Sequence, residues 1–124
     1  MRTEIPGDLR APSLARRFVT TAFDGEANSV PPPEPEDLVL VASELVTNAV
    51  RAGATTIGVE LVAAADRVEL RVTDDATGWP TMRHADWDDL SGRGLEIVED
   101  IADEWHATDL SNGKQVTVAW SRPD

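Results

Sequence analysis

Apolar residues recur along the chain with two different periods, and the change of period marks its elements. Leu38, Val41, Ala42, Leu45, Val46 and Ala49 return at steps of three and four, the spacing that lines one face of an α-helix. That helix is predicted from about Glu36 to Arg51, with Gly53 as its stop. An earlier helix is expected to begin after Ser13 and to carry Leu14, Phe18 and Ala22 on one face. The period then drops to two. Ile57, Val59 and Leu61 alternate with Gly58, Glu60 and Val62, and Val68, Leu70 and Val72 alternate with Glu69, Arg71 and Thr73, as in two half-buried strands. The short link between them suits a hairpin. A third helix is predicted from near Gly94, bearing Leu95, Val98, Ile101, Ala102 and Trp105. A last strand, entered through Asn112-Gly113, holds Val116, Val118 and Trp120.

Between these elements lie three stretches without a period. Residues 1–12 are expected to be irregular, with Pro6, Gly7 and Pro12. Residues 24–35, DGEANSVPPPEP, have prolines at 31, 32, 33 and 35 and cannot form a helix interior; a stiff spacer is the simplest reading. Residues 74–94 are polar and longer than a simple connection needs, and loops of that length usually serve a function. The order helix, helix, strand, strand, loop, helix, strand predicts an α+β fold. It is a two-layer α/β sandwich, with a mixed, mainly antiparallel sheet covered on one face by helices. The chain reads as a single domain over residues 1–124.

Composition narrows the partners. Of 124 residues, 23 are acidic and 11 basic, a formal net charge of −12. That balance argues against direct binding of nucleic acid, which depends on neutralising phosphates. It suits a solvated acidic surface or a basic protein partner. Without cysteine there is no disulfide framework and no thiolate metal site. No apolar run approaches the roughly 18 residues of a membrane span, and the N-terminus lacks the apolar core of a signal peptide. The expected setting is cytoplasmic, without membrane attachment.

Three short constellations carry candidate chemistry. Glu44 and Asn48 are one helical turn apart, at the border of the apolar stripe of the second helix. A carboxamide oxygen suits Mg²⁺, which keeps waters and bridges phosphates. A carboxylate one turn earlier can take a proton from a nucleophile approaching that phosphate. Arg51 is near the same edge and can meet a phosphate. Asp74 ends a strand, where it can accept a hydrogen bond from the exocyclic amine of a base, with Gly78 allowing close backbone approach. Gly92-Arg93-Gly94-Leu95 precedes the third helix, where free backbone N–H groups can face an anion. There is no GxGxxG and no GxxxxGK[ST], so neither a Rossmann site nor a P-loop is expected. His84 and His106 lack metal-ligand spacing and are read as surface residues.

Taken in order, these pieces resemble the GHKL (Bergerat-fold) ATPase superfamily, and within it the small anti-sigma factor serine/threonine kinases and their actinobacterial ATP-binding relatives. The resemblance spans residues 13–121. Residues 44–51 look like the N box, residues 74–78 like the DxGxG box, residues 92–95 like the second glycine box, and Gly113-Lys114-Gln115-Val116 like the final glycine turn and strand. The resemblance implies ATP and Mg²⁺ as cofactors. It implies Glu44 as general base, Asn48 as metal ligand and Arg51 near the phosphates. Asp74 would be the acceptor for the adenine amine, with Gly78 near the base and Gly92, Arg93, Gly94 and Leu95 at the phosphates. Three positions depart: Ala76 replaces the first glycine of DxGxG, Ala52 stands where relatives have His or Tyr, and Gln115 stands where Thr is frequent.

The function so implied is a kinase that phosphorylates an anti-sigma factor antagonist and controls the availability of a sigma factor, with homodimerisation as a family expectation. The competing reading is a nucleotide-binding or degenerate module that only sequesters a protein partner. A histidine kinase and a stand-alone ATPase of the gyrase or chaperone kind fit less well, because this sequence shows no dimerisation helix pair with an acceptor histidine and no further domains.

Overall fold

The structure is a computed structural model and describes residues 1–25, 30–76 and 97–122. Its elements are β1 (Arg2–Pro6), α1 (Ala11–Gly25), α2 (Pro35–Arg51), β2 (Thr56–Ala63), β3 (Arg67–Asp74), β4 (Glu104–Leu110) and β5 (Gly113–Ser121). The five strands form one sheet in the order β1-β2-β3-β5-β4. Every pairing is antiparallel, so the sheet expected to be mixed has no parallel pair among the described residues. The helices α1 and α2 pack on each other and on one face of the sheet. This is the predicted two-layer α+β sandwich.

Period-two patterning puts Ile57, Val59, Leu61, Val68, Leu70, Val72, Val116, Val118 and Trp120 on the inner face, all buried. The outer face is charged. There Arg67 pairs with Glu69 (2.7 Å) and Glu104, and Arg71 pairs with Glu69 (2.7 Å) and Glu60 (3.2 Å).

Two strands run where none was predicted. Residues 1–12 are not wholly irregular: β1 pairs with β2, Ile5 standing opposite Ile57. Trp105 is not on a helix; it belongs to β4, opposite Val118. The described part of the third helix is residues 97–101, and it is held by buried Val98 and by a bond from Trp120 Nε1 to Ile101 O (3.2 Å). In α1 the inward face is Ala11, Ala15, Val19, Ala22 and Phe23. The expected Leu14 and Phe18 flank it, partly buried.

Helix α2 is defined at both ends. Pro35 occupies its first turn, with Glu36 and Asp37 beside it, matching a proline's fixed φ and a carboxylate's preference for the positive end of the helix dipole. At the other end Gly53 has φ +91°, Gly53 N donates to Val50 O (3.0 Å) and Ala54 N to Ala49 O (3.1 Å). This is a Schellman stop, in which a left-handed glycine closes the last carbonyls. It turns the chain directly into β2 and fixes where Asn48 sits relative to the sheet.

Candidate functional site

The end of α2 supplies the first group of side chains. Leu38, Val41, Ala42, Leu45, Val46 and Ala49 are buried against the sheet. Asn48, at the stripe's border, is only 9% exposed. Its Nδ2 has no hydrogen-bond partner among the described residues, although buried polar atoms are nearly always paired. Glu44, one turn earlier, is half-buried, and Arg51 is exposed in the last turn.

Strand β3, on which α2 packs, supplies the second group. The alternation that buries Val68, Leu70 and Val72 also turns Asp74 inward. Its Oδ1 accepts from Ala76 N (3.0 Å), and its Oδ2 accepts from Lys114 Nζ. The side chains of Asp74 and Lys114 are 1% and 3% exposed. The following residue faces elsewhere. Asp75 accepts from the Thr55 hydroxyl, from Thr55 N (2.7 Å) and from Thr56 N (3.2 Å). These bonds, the hydroxyl's first, hold its carboxyl below the usual carboxylate range. The adjacent aspartates thus divide between a buried pair with Lys114 and a tie to the start of β2.

Lys114 was not singled out in the sequence, yet the signal was present. Val116, Val118 and Trp120 point inward, and two residues before Val116 the same period reaches Lys114. The register confirms it: Asp74 pairs with Lys114, which on its other side faces Asp109 of β4. Lys114 is also the chain's only lysine, the rest of its 11 basic residues being arginine.

The departures resolve unequally. Gln115 donates from Nε2 to Thr73 Oγ1 (3.1 Å) and lies on the outer face, away from Asp74. Ala76 is 4% exposed. No described residue other than glycine has positive φ, so its methyl group carries no left-handed strain. Ala52 caps α2 in a right-handed conformation. His106 is exposed on β4, as expected. Gly78, His84, Gly92, Arg93, Gly94 and Leu95 lie outside the described residues.

Among the described residues no three His, Cys, Asp or Glu side chains come together. A divalent ion held through Asn48 would therefore draw most of its ligands from phosphate and water, the habit of Mg²⁺. The orphaned Nδ2 is a donor and suits a phosphate or water oxygen, which leaves the carboxamide oxygen as the atom that would face the ion.

Residues 5–120 match the family model of the histidine kinase-like ATPase domain. No curated protein sequence matches the chain. Among solved structures, the histidine kinase domain from the blue-light activated histidine kinase of Erythrobacter litoralis EL346 aligns with a TM-score of 0.56 at 22% identity. The alignment covers 94% of this chain and 61% of that one. The chain spans less than two thirds of that structure's length, and at this identity the likeness is one of fold.

Proposed function

The chain belongs to the histidine kinase-like ATPase domain family, and from that premise we propose that it binds ATP with Mg²⁺ and phosphorylates a serine or threonine of a protein partner. Following the resemblance in its motifs, the partner is an anti-sigma factor antagonist, and the regulated protein is a sigma factor. The observation that carries the reading is Asn48: a carboxamide 9% exposed, whose Nδ2 donor lacks an acceptor among the described residues and so suits an incoming phosphate oxygen, one turn after a half-buried carboxylate.

In this reading Asn48 holds the metal through its side-chain oxygen and Asp74 accepts from the adenine amine. Gly78 lies near the base, while Arg51, Gly92, Arg93, Gly94 and Leu95 attend the phosphates. Mg²⁺, when bound, neutralises charge on the phosphates. Glu44 takes the proton from the attacking hydroxyl as its oxygen bonds to the γ-phosphorus and ADP leaves. A homodimer formed through α1 and its neighbouring strand belongs to the same proposal.

The buried methyl group of Ala76 and the enclosed carboxylate of Asp74 favour a second reading, a module that acts by sequestering its partner. Calorimetric titration with ATP, with and without Mg²⁺, separates the two. Magnesium-dependent binding that is lost in Asn48→Ala and Asp74→Ala supports the first, followed by transfer of labelled phosphate to an antagonist. No binding up to millimolar ATP leaves the sequestering module.

A further inference from the structure

The Asp74–Lys114 pair is poorly explained as a stabilising contact. Burying two charges carries a large desolvation cost, and apolar residues of similar volume often do as well. Lysine is rarely fully buried, and this chain uses arginine at every other basic position. The one ammonium in its side chains is 3% exposed and set by strand register against the carboxylate that the nucleotide reading assigns to the base.

The chemistry of the pair is complementary to a purine edge. An ionised carboxylate offers about four lone-pair positions and an ammonium three N–H donors. Among the described residues Asp74 accepts from Ala76 N and Lys114 Nζ, so acceptor capacity remains. Adenine presents a donor, its exocyclic amine, beside an acceptor, ring nitrogen N1. A carboxylate alone satisfies only the donor, and N1 would then be buried without a partner, which is costly.

We infer that Lys114 is a base-recognition residue: Asp74 accepts from the adenine amine while Lys114, held beside it, donates to N1. This rests on the nucleotide-site reading of Asp74. Ala76 N–H fixes one carboxylate oxygen and Lys114 the other, so the order of acceptor and donor across β3 and β5 is set before the base arrives. Guanine presents the two groups in the reverse order, O6 as acceptor and N1–H as donor.

The test compares ATP with 1-deaza-ATP, in which N1 is replaced by C–H, both with Mg²⁺, by calorimetry on the full chain. The wild type should bind the analogue about tenfold more weakly, the usual scale for one hydrogen bond in a buried site. In Lys114→Met both nucleotides should bind more weakly than ATP binds the wild type, and within about twofold of each other. An unchanged analogue penalty in Lys114→Met overturns the inference, as does equal binding of the two nucleotides by the wild type. Tighter ATP binding by Lys114→Met also overturns it, since the ammonium would then occupy the place of the base.

Should Lys114→Met fail to fold, isotope-labelled lysine in the wild type gives a single side-chain resonance. ATP should shift that signal and 1-deaza-ATP should leave it nearly unmoved; equal shifts overturn the inference. A wild type that binds no ATP removes the nucleotide site and this inference together, whereas ATP binding without an N1 penalty removes this inference alone.

Discussion

The α-carbon of Gly113 lies against the main-chain carbonyl of Asp74. A methyl group placed on Gly113 would overlap that oxygen and meet the α-carbon of Asp75 at 3.0 Å. The close approach lets β5 begin beside the end of β3, with Lys114, the next residue, level with Asp74. Gly113→Ala should therefore push the two strand ends apart. The expected loss is about 2 kcal/mol, the usual cost of forcing a methyl into packed structure, with weaker nucleotide binding. Urea denaturation and calorimetry read the two effects. Gly25→Ala, whose new methyl would meet nothing within 4 Å, is the control and should not lower stability.

Glu44 makes no hydrogen bond or ion pair to the described residues and is half-buried one turn from Asn48. Glu44→Ala should lower phosphoryl transfer about a hundredfold or more, the range for loss of a general base. ATP affinity should stay within about threefold of the wild type. Transfer at the wild-type rate would take Glu44 out of the reaction.

Arg122 is 8% exposed, and no described carboxylate pairs with it. Its Nε donates to Pro32 O (3.1 Å) and its Nη1 to Ala64 O (3.0 Å). It thereby ties the approach to α2 to the β2–β3 turn. Arg122→Ala should cost about 2 kcal/mol, since each bond involves a charged donor and a carbonyl that would lose its partner. Arg122→Lys should recover little of that loss, because an ammonium lacks the planar fork that spans both carbonyls. A denaturation midpoint equal to the wild type in Arg122→Ala would remove this role.

Three described carboxyl groups are held low by folding, exposed Asp8 among them through Arg10. Asp75 is held below the usual range by Thr55 and Thr56, and Glu69 by Arg67 first and then Arg71. A carboxyl lowered by folding adds stability that is fully present above its unfolded value, about 4. That stability is lost as pH falls through the folded value. Thermal stability should thus be flat near neutrality and fall below about pH 4. In Asp75→Asn the fall should be shallower and the stability at neutral pH lower. An unchanged acid limb would show that these bonds contribute nothing.

The buried strands and α2 were legible in the sequence because a strongly one-sided environment imposes a period. The edge strands were not. In β4 every side chain except the half-buried Trp105 is exposed, and in β1 Ile5 alone is buried, so neither pattern alternates. Trp105 lies three to four positions after Ala102 and Ile101 and therefore fits a helical face on paper. In the fold, Asp103 N donates to Ala119 O (3.1 Å) and draws the chain into the sheet before a further turn can form. On α1 the expectation favoured Leu14 and Phe18, whereas close packing of the helix on its neighbours seats Ala11 and Ala15 beside the expected Ala22. At the candidate site, Glu44, Asn48 and Asp74 are proposed from local spacing. Their companion Lys114 is 40 positions from Asp74, a relation visible only through strand register.

The inward turn of the one lysine leaves the surface with no side-chain amine. Apart from the N-terminal amine, which is part-buried and donates to Leu61 O, acylating reagents, amine-directed cross-linkers and lysine-modifying enzymes would find no handle outside the β3–β5 junction. The rate at which an amine reagent reaches Lys114 is therefore a direct gauge of how often that junction opens, obtainable by mass spectrometry on the unaltered protein.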